Sequence, residues 1–198
     1  MTARGAAAYA ALLATLQAPG AFADPVRYRI DPGATRIEFS VQHLGVLRAQ
    51  GRFTQAAGTV VYDAAAQGGR IELDVAGTSV TTGWTLRDAF VRGETMFDVE
   101  RHPVVRFRST QLVFRDGRLA RVDGELTLRG VTRPLSFAVS GVDCAGEGRA
   151  ARCVAEVDGS LRRRDFGMDF AWPLIGDEVE LHFGIVAVRE EAVTAAAP

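Results

Sequence analysis

The chain has 198 residues with 23 basic against 24 acidic side chains, a net charge of −1, and every basic residue is Arg. Without a basic block or aromatic–basic interleaving, no nucleic-acid partner is expected. The length suits one domain able to bury a real core, and after the first sixteen residues no apolar run is long enough for a membrane-spanning helix.

The N-terminal stretch reads as a removable leader. Arg4 gives a positive start, Gly5 to Leu16 is a short apolar run, and Ala21 to Ala23 place small residues where a signal peptidase cuts. Cleavage is expected before Asp24, so residues 1–23 are read as a signal peptide and 24–198 as one exported domain. The destination expected is the periplasm. The exported part holds 22 Arg and 24 acids, about −2, because only Arg4 is lost.

From Arg36 onward apolar and polar residues alternate. Ile37, Phe39 and Val41 share one face, and His43 falls in line with them. The same period recurs through Ile71, Leu73 and Val75, then Val105 and Phe107, then Val122, Leu126 and Leu128. It continues through Leu135, Phe137 and Val139, Val157 and Leu161, and Val179, Leu181, Phe183 and Ile185. Glycine-rich turn signals separate these runs. Strands with one dry and one wet face predict an antiparallel meander of about eight strands. Alternation alone fits a sandwich or a barrel; the length of the segments favours a closed barrel. The run Thr81 to Val99 lacks period two and predicts a short helix and turn. A second irregular stretch starts at Arg163.

Cys144 and Cys153 flank a glycine-containing connection, "AGEGRAAR". Hairpin ends lie within bridging distance, and export supplies an oxidising compartment, so a disulfide is expected. Two Cys without neighbouring His make a poor metal set. There is no G-x-S-x-G, H-E-x-x-H or C-x-x-C, and no cofactor motif, so neither an enzyme nor a cofactor is expected.

Several stretches, in order, resemble the YceI-like family: "RYRIDPGATRIEFSVQHLG", "GRFTQAAGTVVYD", "TSVTTGWTLRDAFVRGETMFDVERHPVVRFRST", "GELTLRGVTRPLSFAV", "RRRDFGM" and "DEVELHFGIVAV". The resemblance covers about Tyr28 to Val188. It implies an all-β, eight-stranded, lipocalin-like antiparallel barrel in an exported bacterial protein that holds a long apolar ligand, typically a polyisoprenoid. It also implies a homodimer as a common state. This chain departs from the pattern at Phe90 and Val91, where family members often carry His and Leu.

The residues expected to line the ligand site are Phe39, Val41, Phe53, Leu73, Val75, Phe90, Phe107, Phe137 and Phe183. A phenyl-rich wall of this kind suits an alkyl or prenyl chain. Two polar candidates accompany them. His43 is read either as an edge histidine bonded to a backbone carbonyl or as a contact to a ligand head group. Arg87 is read either as a structural partner of Asp88 or as an anion contact. Two other roles stand beside the lipid carrier: a partner module of a membrane quinone-linked cytochrome, and an enzyme acting on a small lipid.

Overall fold

The computed structural model describes residues 25–63 and 66–190. The leader expected over residues 1–23 lies outside the described residues. Among these residues eleven strands form one antiparallel sheet that closes on itself. They are β1 (Val26–Ile30), β2 (Arg36–His43), β3 (Leu47–Phe53), β4 (Ala56–Asp63), β5 (Gly68–Ala76) and β6 (Val80–Thr81). After helix α1 (Thr85–Arg92) come β7 (Val104–Arg115), β8 (Arg118–Leu128), β9 (Val131–Ala145), β10 (Arg152–Arg162) and β11 (Ile175–Arg189).

Eight of these make the ring: β1, β4, β5, β7, β8, β9, β10, β11 and back to β1. β1 and β2 share one edge of β11. Ile30 opposes Ala187, and after a short break Arg36 opposes Gly184. Their partners match, since β4 pairs β1 and β3 pairs β2. β1–β2 therefore acts as one broken wall strand and β3–β4 as its neighbour. The result is the expected eight-walled, all-β antiparallel barrel, with the short helix inside the predicted aperiodic segment.

The alternation dictates which side chains point inward. Ile37, Leu73, Val75, Phe107, Val122, Leu126, Leu128 and Phe137 belong to one buried cluster, and their polar neighbours face solvent. Three phenyl rings, Phe39, Phe107 and Phe137, are accommodated by glycines on the adjoining strand, Gly51, Gly124 and Gly159. Phe39 lies across its partner Gly51. At Gly159 a Cβ would fall 2.7 Å from the Phe137 ring. The missing side chains let large rings lie against a tightly curved wall.

The two ends of the barrel differ. At one end β9 and β10 close with Cys144 bonded to Cys153, directly opposed in register. At the other end, which we call the mouth, lie the β2–β3 turn, residues 77–103, the β8–β9 turn and residues 163–174. Among the described residues, no helix is long and apolar enough to cross a membrane.

On the outer wall His182 sits beside two carboxylates. Its Nδ1 is 2.7 Å from Asp158, and its Nε2 is 3.4 Å from Glu156. The hydrogen bond with Asp158 raises the His182 pKa above its ordinary value against a smaller opposing effect of burial.

Gly159→Val should drive a side chain into the Phe137 ring and cost roughly 1–3 kcal/mol, read as a lower urea midpoint at unchanged slope; an unaltered midpoint would show that the ring is not seated on this glycine. For His182, folding favours the protonated ring. Its stabilisation is complete below the ordinary value of about 6.5 and fades as pH rises through the raised folded value. His182→Gln should remove that part of the stability loss above about pH 6.5, and identical pH profiles for the two proteins would refute the coupling.

Candidate functional site

The barrel interior is solid at the disulfide end and hollow toward the mouth. Ile30 and Val122 belong to the packed cluster without bordering the hollow. The hollow has a volume of about 340 Å³, within the range of small-ligand cavities. Its deep wall holds a chain of phenyl rings. Phe107 meets Phe137 with centroids 5.1 Å apart, and Phe137 meets Phe183 at 5.2 Å. Nearer the mouth, Phe39, Phe53 and Phe97 form a triangle with centroid separations of 5.7, 6.0 and 5.4 Å. Three of these five contacts are edge-to-face and two are tilted, with none stacked face to face, as aromatic packing favours.

All eleven residues expected at the site border this one cavity. β2 supplies Phe39, Val41 and His43; β3 supplies Phe53; β5 supplies Leu73 and Val75. Phe107, Phe137 and Phe183 come from β7, β9 and β11, and Arg87 and Phe90 from α1.

α1 is pinned to β6 by its charged side chains. Asp88 accepts hydrogen bonds from the Thr82 backbone N–H at 2.6 Å, from the Thr82 hydroxyl at 2.5 Å and from the Thr81 hydroxyl at 2.9 Å. The bond from the Thr82 hydroxyl leads these in holding the Asp88 pKa below the usual carboxylate range. Arg92 donates to the Val80 carbonyl at 2.7 Å. Arg87 donates to the Thr82 carbonyl at 2.7 Å. The Arg87–Asp88 ion pair considered from sequence does not form. Asp88 is saturated by the threonines, and Arg87 holds the same turn through its backbone. The two residues fix one loop separately.

The polar residues at the cavity are few: Glu38 and Gln50 on the β2–β3 wall, and His43, Thr82, Arg87 and Arg163 toward the mouth. The Arg87 Nε is buried without a hydrogen-bond partner among the described residues. His43, at the end of β2 opposite Ile175, has no side-chain hydrogen bond among the described residues, so the carbonyl contact considered for it is not formed. Arg163 borders the cavity and is 2% exposed. Its Nε donates to the Gly176 carbonyl at 2.8 Å and one Nη to the Ile175 carbonyl at 2.9 Å, and the other Nη bonds the Met168 carbonyl. Burial pushes the Arg163 pKa down. The arginine clips the start of β11 to the end of β10.

Sequence reasoning missed Arg163, Phe97, Trp84 and Met168 as cavity residues. Arg163 carried a signal, because it continues the inward series Val157, Gly159, Leu161 by one more step of two. Phe97 and Trp84 lie in the aperiodic segment and carried none.

Comparison with known proteins places the chain. The YceI-like domain model matches residues 28–187. A UPF0312 protein from Pseudomonas aeruginosa is 30% identical over 170 residues, covering 82% of this chain and 87% of that protein. Protein YceI of Escherichia coli is 29% identical over 171 residues, covering 83% and 87%. Among solved structures, Burkholderia cenocepacia BcnA superposes with a TM-score of 0.68 at 20% identity, over 79% of this chain and 98% of that one. A polyisoprenoid binding domain from Saccharophagus degradans, implicated in plant cell wall breakdown, gives 0.62 at 18% identity, over 82% and 98%. The closed barrel and the match across nearly all of it agree: the chain belongs to the YceI-like family.

Proposed function

We propose that this protein binds a long apolar lipid, a polyisoprenoid or prenyl quinone, inside the barrel and carries or sequesters it outside the cytoplasm. The observation that carries the reading is the phenyl-walled hollow at the mouth half of an otherwise packed barrel. A close-packed interior leaves no room for a guest; this one does. The relation to a polyisoprenoid binding domain supports the same ligand class. Export rests on the leader-like residues 1–23, and the periplasm is its destination in a cell with an outer membrane.

The walls dictate how the ligand lies. Phe107, Phe137 and Phe183 receive the tail. Phe39, Phe53, Val41, Leu73 and Val75 surround the chain above it. Burying about ten methylene-sized groups at ~0.8 kcal/mol each gives about 8 kcal/mol before ordering costs. That scale supports micromolar binding or better. The head group stays at the mouth, where Arg87 has a buried N–H to satisfy and His43 makes no side-chain hydrogen bond among the described residues. Few polar groups at one end of an apolar pocket orient a ligand without holding it tightly. The protein's role is binding and positioning; no bond is made or broken.

Val75→Trp tests the reading. Val75 is 6% exposed and borders the cavity. An indole directed into spare volume should leave export and the delipidated melting temperature close to wild type. It should also remove the long-chain lipid that mass spectrometry finds in an organic extract of wild-type protein. A variant that keeps its lipid would place the ligand elsewhere. A wild type that carries and binds none would defeat the proposal.

A further inference from the structure

The mouth carries an apolar surface that the cavity does not explain. Eleven large apolar side chains are exposed among the described residues, and nine of them belong to three segments at this end. Leu44, Val46 and Leu47 come from the β2–β3 turn. Trp84, Leu86 and Phe90 come from α1 and the residue before it. Phe170, Trp172 and Leu174 come from the connection into β11. The other two, Val142 and Val154, lie near the disulfide end.

The three segments touch. The Leu44 N–H donates to the Leu174 carbonyl at 2.7 Å, and the Phe90 and Phe170 rings are 4.9 Å apart. They form one rim, since an apolar patch spread over adjoining elements marks an interaction surface in a way scattered residues do not. Leu44 holds the left-handed region at φ 53, which a bulky side chain rarely adopts. A turn that needed only to reverse the chain would favour Asn or Gly at that position.

Three features identify what meets this rim. The cavity opens within it: Trp84 is 58% and Phe90 40% exposed, and both also border the hollow. Each rim indole carries a guanidinium over its face, Arg87 at 6.0 Å from Trp84 and Arg164 at 4.9 Å from Trp172. Indoles with cationic side chains beside them suit the boundary between hydrocarbon and head groups. The charges of the rim segments nearly cancel. Arg87, Arg92, Arg163 and Arg164 stand against Asp88, Asp165 and Asp169, so attraction to a strongly charged partner is not built in.

We infer that the mouth rim seats on a lipid bilayer surface, zwitterionic lipid being sufficient, and that the ligand passes between bilayer and cavity without crossing water. The inference rests on the lipid-binding reading. A long chain leaving the mouth into water would re-expose apolar surface at roughly 25 cal/mol per Å². A rim sunk into the head-group region shields that surface throughout the transfer.

Flotation with phosphatidylcholine vesicles tests it, beside farnesol titration of the same protein in vesicle-free buffer. Leu86→Asp/Leu174→Asp alters two exposed side chains that do not border the cavity. It should lower vesicle partition at least tenfold, the effect of losing one buried leucine, while farnesol affinity stays within about twofold. Val46→Asp, at a side chain 87% exposed, should weaken partition in the same direction from a separate segment. Val142→Asp/Val154→Asp, at the far end, should leave it unchanged. Failure of the wild type to float, or equal flotation of the rim variants, would overturn the inference. So would a wild-type dimer that the rim variants dissociate while neither form floats, because the rim would then be a self-association surface. Flotation without farnesol binding would instead defeat the ligand reading and leave the docking surface standing.

Discussion

Everything in this molecule depends on β11 pairing with both halves of the broken β1–β2 strand. That pairing turns an eight-walled meander into a ring. A closed ring has no free edge, and it fixes an inside and an outside for every residue of every strand. A one-residue slip anywhere would move phenyl rings into water and arginines into the barrel. The closure therefore converts a simple alternation in the sequence into a chemical container. The glycines under Phe39 and Phe137 serve the same end, letting the wall curve around rings that a flat sheet would hold apart.

The container is expensive. An apolar hollow forfeits contacts, and truncated cores lose about 24 cal/mol per Å³ of cavity. Applied to a hollow of about 340 Å³, that is on the order of several kcal/mol that packing elsewhere must offset. The offset lies in the solid half of the barrel, in the side-chain hydrogen bonds that pin α1 to β6, and in Arg163, which holds the start of β11 and the connection before it through three backbone carbonyls. A guest that refills the hollow returns part of the loss. This links stability to occupancy: the ligand-bound protein is the more stable one by mass action.

The barrel was legible because its code has period two. Ile37 to His43, Leu73 to Val75 and Val179 to Ile185 all point where alternation sends them, and the aromatic wall follows from the same count. Even Arg163 obeys it, although a triple-Arg run invites reading as a solvated surface. The mouth was not legible. Phe97 reaches the cavity through a turn in which Asp98 takes positive φ, and Trp84 precedes a helix of only eight residues. Such positions are set by tertiary contacts rather than by periodicity. The neighbours Arg87 and Asp88 illustrate the limit. Adjacency and opposite charge suggested a pair, yet two threonines satisfied the carboxylate at closer range and left the guanidinium to the backbone and the cavity.

The central claim is that the hollow receives a long apolar chain. Calorimetric titration of delipidated protein with a long all-trans isoprenoid alcohol, repeated at several temperatures, tests it most directly. Binding should saturate at one ligand per barrel with a negative heat-capacity change, the mark of apolar surface leaving water. Absence of saturable heat at every temperature, or saturable binding with no heat-capacity change, would contradict it.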